Sequence, residues 1–76
     1  MSKSYFAYCG EVEGECHTPV GWSDSLEAAE EHALRNAAAK KTVATEDNKK
    51  IRVSMYGEYW EIREEGKSEV LKSGKA

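Results

Sequence analysis

Large aliphatic side chains are scarce in this 76-residue chain. Three Leu, two Ile, five Val and one Phe make 11, about 14% of the residues and below the roughly 20% at which disorder becomes a serious expectation. The large net charge that would complete a disorder signature is missing as well, because 11 basic residues stand against 14 acidic ones for a formal charge of −3. No apolar run approaches the roughly 18 residues of a membrane-spanning helix. The N-terminal stretch Met1-Ser-Lys-Ser-Tyr-Phe-Ala-Tyr-Cys9 has no apolar signal-peptide core, which leads to the expectation of a cytoplasmic chain with no membrane partner. Two cysteines are too few for a disulfide scaffold, and in the cytosol Cys9 and Cys16 would be free thiols, with a single bridge between them left open. One Pro and six Gly leave no Gly/Pro-rich linker. The length suits one small domain.

Two Trp, four Tyr and nine Ala supply the apolar surface that the aliphatic count omits. Residues 24–41 form the clearest local pattern. Asp24 can cap a helix, with Glu27 three residues on as in a capping box, and the Ala-rich run that follows favours helix. At 100° per residue Leu26, Ala29, Ala33, Leu34 and Ala37 make one stripe, with Glu27, Glu31 and Arg35 opposite. Lys40 and Lys41 would close the last turn, suiting the helix dipole.

Downstream, residues 51–63 alternate as a hairpin whose two-residue turn is Gly57-Glu58, with Gly at the first central position of a type II′ turn. That register puts Ile51, Val53, Met55, Trp60 and Ile62 on one face and Arg52, Tyr56, Tyr59 and Arg63 on the other. The N-terminal third suggests a second hairpin turning at Glu13-Gly14. It pairs Ala7 with Val20 and Tyr5 with Trp22, and leaves Phe6, Tyr8 and His17 on the far face. Pro19 cannot donate to a ladder, so its strand should be an edge or irregular there. Residues 11–22 are otherwise a long loop. The expected fold is α+β, one helix on one face of a small antiparallel sheet in the order ββαββ, or βαββ in the loop case. The domain spans 1–65, and 66–76 form a flexible polar tail. The helix stripe would meet Tyr5, Ala7, Val20, Trp22, Val53, Met55, Trp60 and Ile62.

Several chemistries lack their residues. Cys9, Cys16, His17 and His32 do not have the paired spacing of a zinc site, so neither metal nor cofactor is expected. Cys16 and His17, as neighbours on a strand, point to opposite faces and cannot form a Cys–His couple. The glycines fit neither phosphate-binding motif. An enzyme is not expected.

The far face of the sheet is the informative feature. Phe6, Tyr8, Tyr56 and Tyr59, with Arg52 and Arg63, form an aromatic and cationic set of the kind enriched in protein interfaces. The same set could stack the bases of single-stranded nucleic acid, or merely stabilise a half-exposed sheet through cross-strand pairs. The acidic balance disfavours nucleic acid. The acidic segment Glu11-Val-Glu-Gly-Glu15 could engage a basic partner. The segment Thr18-Pro-Val-Gly-Trp-Ser-Asp-Ser-Leu-Glu-Ala-Ala-Glu30 resembles the strand-to-helix passage of HicB-type antitoxins over about a dozen residues, and no residue role follows from it. Size, acidity and a lone helix on a sheet also resemble small phage or plasmid proteins that block host machinery. The expected function is a non-enzymatic binding module, an inhibitor or accessory protein acting on a protein partner through Phe6, Tyr8, Arg52, Tyr56, Tyr59 and Arg63. The alternative is a single-stranded nucleic-acid-binding module using the same aromatics, and a homodimer is a third reading.

Overall fold

The computed structural model describes residues 3–76. It shows one helix on one face of an antiparallel sheet, with strands before and after it, so the α+β class holds. The elements are β1 (Tyr5–Gly10), β2 (Thr18–Ser23), α1 (Leu26–Ala37), β3 (Lys40–Ala44), β4 (Lys50–Ser54), β5 (Tyr59–Glu64) and β6 (Val70–Lys75). The main sheet has the order β2-β1-β5-β6, two strands from each side of the helix, while β3 and β4 form a separate two-stranded ribbon. Residues 11–22 therefore contain a strand, as the ββαββ reading requires, and the ribbon is an addition to that plan.

The helix starts one residue later than expected. Ser25, not Asp24, is the N-cap, and its Oγ accepts a hydrogen bond from the Ala28 amide at 3.4 Å, satisfying one of the open donors of the first turn. The helix also ends earlier. Lys40 and Lys41 belong to β3, where Thr42 and Val43 pair with Arg52 and Ile51. Ala29, Ala33 and Ala37 are fully buried against Ala7, Cys9, Trp60 and Ile62, with Tyr5, Val20 and Leu26 packed around them. Leu34, expected in the stripe, is exposed. Small side chains let the helix lie close to the sheet. At Gly21 a Cβ would come within 2.9 Å of the His32 side chain, so His32 packs toward β2 rather than lying on the outer side of α1.

The 51–63 hairpin does not form. Its first half is β4, paired with β3, and its second half is β5, paired with β1 and β6. Gly57 is indeed the special residue of the segment, with φ at 104°, but it serves a close approach. A Cβ there would run into the Gly10 carbonyl, so the 55–58 linker crosses tightly over the end of β1. Val53 and Met55 consequently leave the core. The stretch 70–75, expected to lie in a flexible tail, is strand β6 on the edge of β5. It needs few apolar residues because its backbone pairs with β5, and Gly74 gives the Trp60 ring room, a Cβ there meeting it at 2.6 Å.

Candidate interaction face

The β1–β5 ladder fixes which side chains share the face away from the helix. Phe6 lies opposite Arg63, Tyr8 opposite Glu61, and Gly10 opposite Tyr59. On the outer strands Trp22 pairs with Phe6 and Pro19 with Tyr8, while Val70 pairs with Arg63, Ser73 with Glu61 and Lys75 with Tyr59. Three rows result: Trp22–Phe6–Arg63–Val70, then Pro19–Tyr8–Glu61–Ser73, then Gly10–Tyr59–Lys75. Four of the six expected site residues (Phe6, Tyr8, Tyr59 and Arg63) are thereby brought together. The other two are not. Arg52 sits on β4 in the ribbon, and Tyr56 lies in the β4–β5 linker beside Glu15 and His17.

Trp22 was expected under the helix and instead lies on the open face, 62% exposed. The cause is a bulge. The β1–β2 register shifts between Ala7 and Tyr8, so Ala7 pairs with Gly21 and Tyr5 with Ser23, and a one-residue slip moves every side chain beyond it to the other face. Pro19 was the available signal, since a residue without an amide donor predicts irregular pairing, and β2 is indeed an edge strand. Nothing in the alternation told which way the slip would run.

At the centre of the face sits a charged cluster. Glu61 is only 4% exposed and accepts a 2.6 Å hydrogen bond from Arg63 Nη2. Arg63 also donates to the Cys16 carbonyl at 3.3 Å, and its guanidinium carbon lies 4.9 Å from the Tyr8 ring centroid. The guanidinium is thus fixed by a carboxylate, a backbone oxygen and an aromatic face. These contacts draw the 11–17 loop over the β5 side, where Glu13, Cys16, Tyr59, Glu61, Ser73 and Lys75 are among the residues lining a groove of about 540 Å³. At its rim the Lys75 ammonium lies 5.5 Å from the Tyr59 ring centroid.

Neither thiol is poised for chemistry. Both cysteines are free and fully buried. Burial, helped by nearby Cys16, pushes the Cys9 thiol from 9.0 up to about 11, and burial together with Glu61 raises Cys16. Both stay protonated near neutral pH, and the thiolate is the reactive form. Cys9 faces the Ala33 carbonyl at 4.0 Å, inside the helix–sheet interface. Among the described residues no helix is long and apolar enough to cross a membrane. No family model, no curated protein and no solved structure matches this chain.

Proposed function

We propose that the chain is a small non-enzymatic binding module acting through protein–protein contact, as an inhibitor or accessory factor. Its contact surface is the row Trp22–Phe6–Arg63–Val70 with Tyr8 and Tyr59 beside it. The observation that carries this reading is Trp22. In a chain so short of large apolar residues, one of two tryptophans stands 62% exposed on a sheet face, next to Phe6. Burying such a ring elsewhere would gain about 1.5–3 kcal/mol, and Trp, Tyr and Arg dominate the residues that carry binding energy at interfaces. Arg63, already fixed in place, loses little further entropy on contact. The nucleic-acid alternative has less support, because the guanidinium on this face is paired with Glu61 and is not free for phosphate.

The test is affinity capture from the source cells with the wild-type chain, Trp22→Ala and Arg52→Ala. The wild type and Arg52→Ala are expected to retain the same protein, and Trp22→Ala to lose it at least about tenfold, the loss of roughly 1.4 kcal/mol or more expected of a central aromatic. Equal retention by Trp22→Ala sinks this face as the contact surface. Binding of a single-stranded oligonucleotide that weakens steeply with salt, in place of a protein partner, sinks the protein reading itself.

A further inference from the structure

The chain is far from uniform in charge. Residues 40–54, the β3–β4 ribbon and its turn, hold five cations (Lys40, Lys41, Lys49, Lys50, Arg52) against Glu46 and Asp47, a net +3. The remaining residues hold six cations against 12 carboxylates, a net −6 that with the ribbon restores the overall −3. Every cation outside the ribbon is engaged. Lys3 and Lys67 lie on Glu64, Arg35 on Glu31, Arg63 on Glu61 and Lys72 on Glu30, while Lys75 sits over Tyr59. In the ribbon only Lys40 has a carboxylate, Glu58. Among the described residues Lys41, Lys49, Lys50 and Arg52 have none. The molecule measures 54 × 19 × 16 Å, and charge is screened over about 8 Å at physiological salt, so the basic ribbon presents its own sign despite the acidic total.

The ribbon also has an uncovered apolar side. Its register pairs Val43 with Ile51 and Lys41 with Val53 on one side, and Thr42 with Arg52 and Ala44 with Lys50 on the other. The helix covers the main sheet only, and Ile51 is 45% exposed. An isolated two-stranded ribbon is marginal in water. Of the ribbon's strand cations Lys41 alone shares the apolar side, while Lys40, Lys50 and Arg52 project from the other, so an occupant seated on the strip must cover it and neutralise Lys41 at once. A phosphate backbone does only the second, and Glu46 and Asp47 at the tip would repel it. The chain itself carries the complement. The loop Glu11-Val12-Glu13-Gly14-Glu15 has three carboxylates without a cation among the described residues, around a Val12 that is 55% exposed. Glu11 lines a groove with Lys40, Lys41 and Val43 at the ribbon's root, so ribbon and loop lie at the same end of the molecule, as a reciprocal two-fold contact requires.

We propose that the β3–β4 ribbon is a dimerisation arm that seats on the acidic 11–15 loop of a second copy, each copy offering both halves of the contact. The arm is separate from the face bearing Trp22, and although Glu13 and Gly14 of the loop border Tyr59 and Val70 on that face, Trp22→Ala and Lys41→Glu each touch one contact without altering the other.

The test is analytical ultracentrifugation of the full chain at low and high micromolar concentration, in low and high salt. The wild type is expected to shift toward a dimer as concentration rises and back toward monomer in high salt, because the contact is flanked by ion pairs. Lys41→Glu and, separately, Glu11→Lys/Glu13→Lys/Glu15→Lys should each weaken the dimer by about tenfold or more, since like charges now face each other. Mixing the two variants should restore a dimer of near wild-type affinity, which only a direct arm-to-loop contact predicts. A wild type that stays monomeric at high micromolar concentration overturns the proposal, as does a dimer that both variants leave unchanged. Salt-sensitive binding of a labelled DNA duplex, abolished by Lys50→Glu/Arg52→Glu in a monomeric protein, assigns the arm to a polyanion and overturns it too. If either variant loses its circular-dichroism signal, the wild-type concentration series decides alone.

Discussion

Arg63 is the side chain on which the open face depends. Glu61 is almost wholly buried, and a buried carboxylate without a cation keeps its desolvation cost and loses its compensation. Arg63→Met is therefore expected to destabilise the fold by about 3 kcal/mol, whereas Glu61→Gln/Arg63→Met, which removes both charges together, should cost much less. Urea denaturation of the two variants checks this, and equal losses would mean the pair is not the stabilising unit. Trp22→Ala should cost little stability because most of its ring is already in water. This makes it the cleaner probe of binding. Part of this cluster was legible in the sequence. Tyr8, Tyr59, Glu61 and Arg63 follow from strand alternation, since Trp60 and Ile62 must face the core. The Cys16 carbonyl and the burial of Glu61 were not, because they depend on how the 11–17 loop folds back, and no periodicity governs a loop.

At the scale of elements, local patterns succeeded where the partner was near in sequence. Helix α1 was readable from its alanine stripe, and the β1–β2 pairing from a short connection. The β3–β4 ribbon was hidden because Lys40–Ala44 continues the polar, alanine-containing run of the helix, and its apolar partners Ile51 and Val53 already had an apparent place beside Trp60 and Ile62. Gly57 shows how a correct signal can carry the wrong meaning. A positive φ suits a tight turn and a close backbone approach equally, and only the position of Gly10 distinguishes them. That distinction is measurable by comparing alanine substitutions. Gly66 also has a positive φ, 78°, but open space where a Cβ would go, so Gly66→Ala should cost about 1 kcal/mol of backbone strain. Gly57→Ala adds a collision with the Gly10 backbone and should cost at least about 2 kcal/mol more, in the range of an overpacked core. Thermal or urea melts of the pair test it, and similar losses would show that the linker does not pack on β1 as described.

The whole molecule is longer than a single compact domain of its size. Its radius of gyration is 13.9 Å, where about 11.4 Å is expected for 76 residues, and the excess lies in the ribbon, whose strands pack chiefly on each other. The Met55 amide donating to the Ala39 carbonyl at 3.0 Å closes the ribbon at its root, and Lys40 on Glu58 ties it to the segment leading into β5. Cooperative stability follows from shared buried surface, and local openings follow from its lack. Amides of β1 and β5, which carry Ala7, Cys9, Trp60 and Ile62 under the helix, should exchange with solvent only through global unfolding. Those of β3 and β4 should exchange through a local opening at least about tenfold faster, even though both sets are hydrogen-bonded in ladders. Native-state hydrogen exchange at a concentration where sedimentation shows a monomer measures this directly. Equal protection in the two sheets would mean that ribbon and body unfold as one unit, and the ribbon could then not behave as an arm with its own energetics.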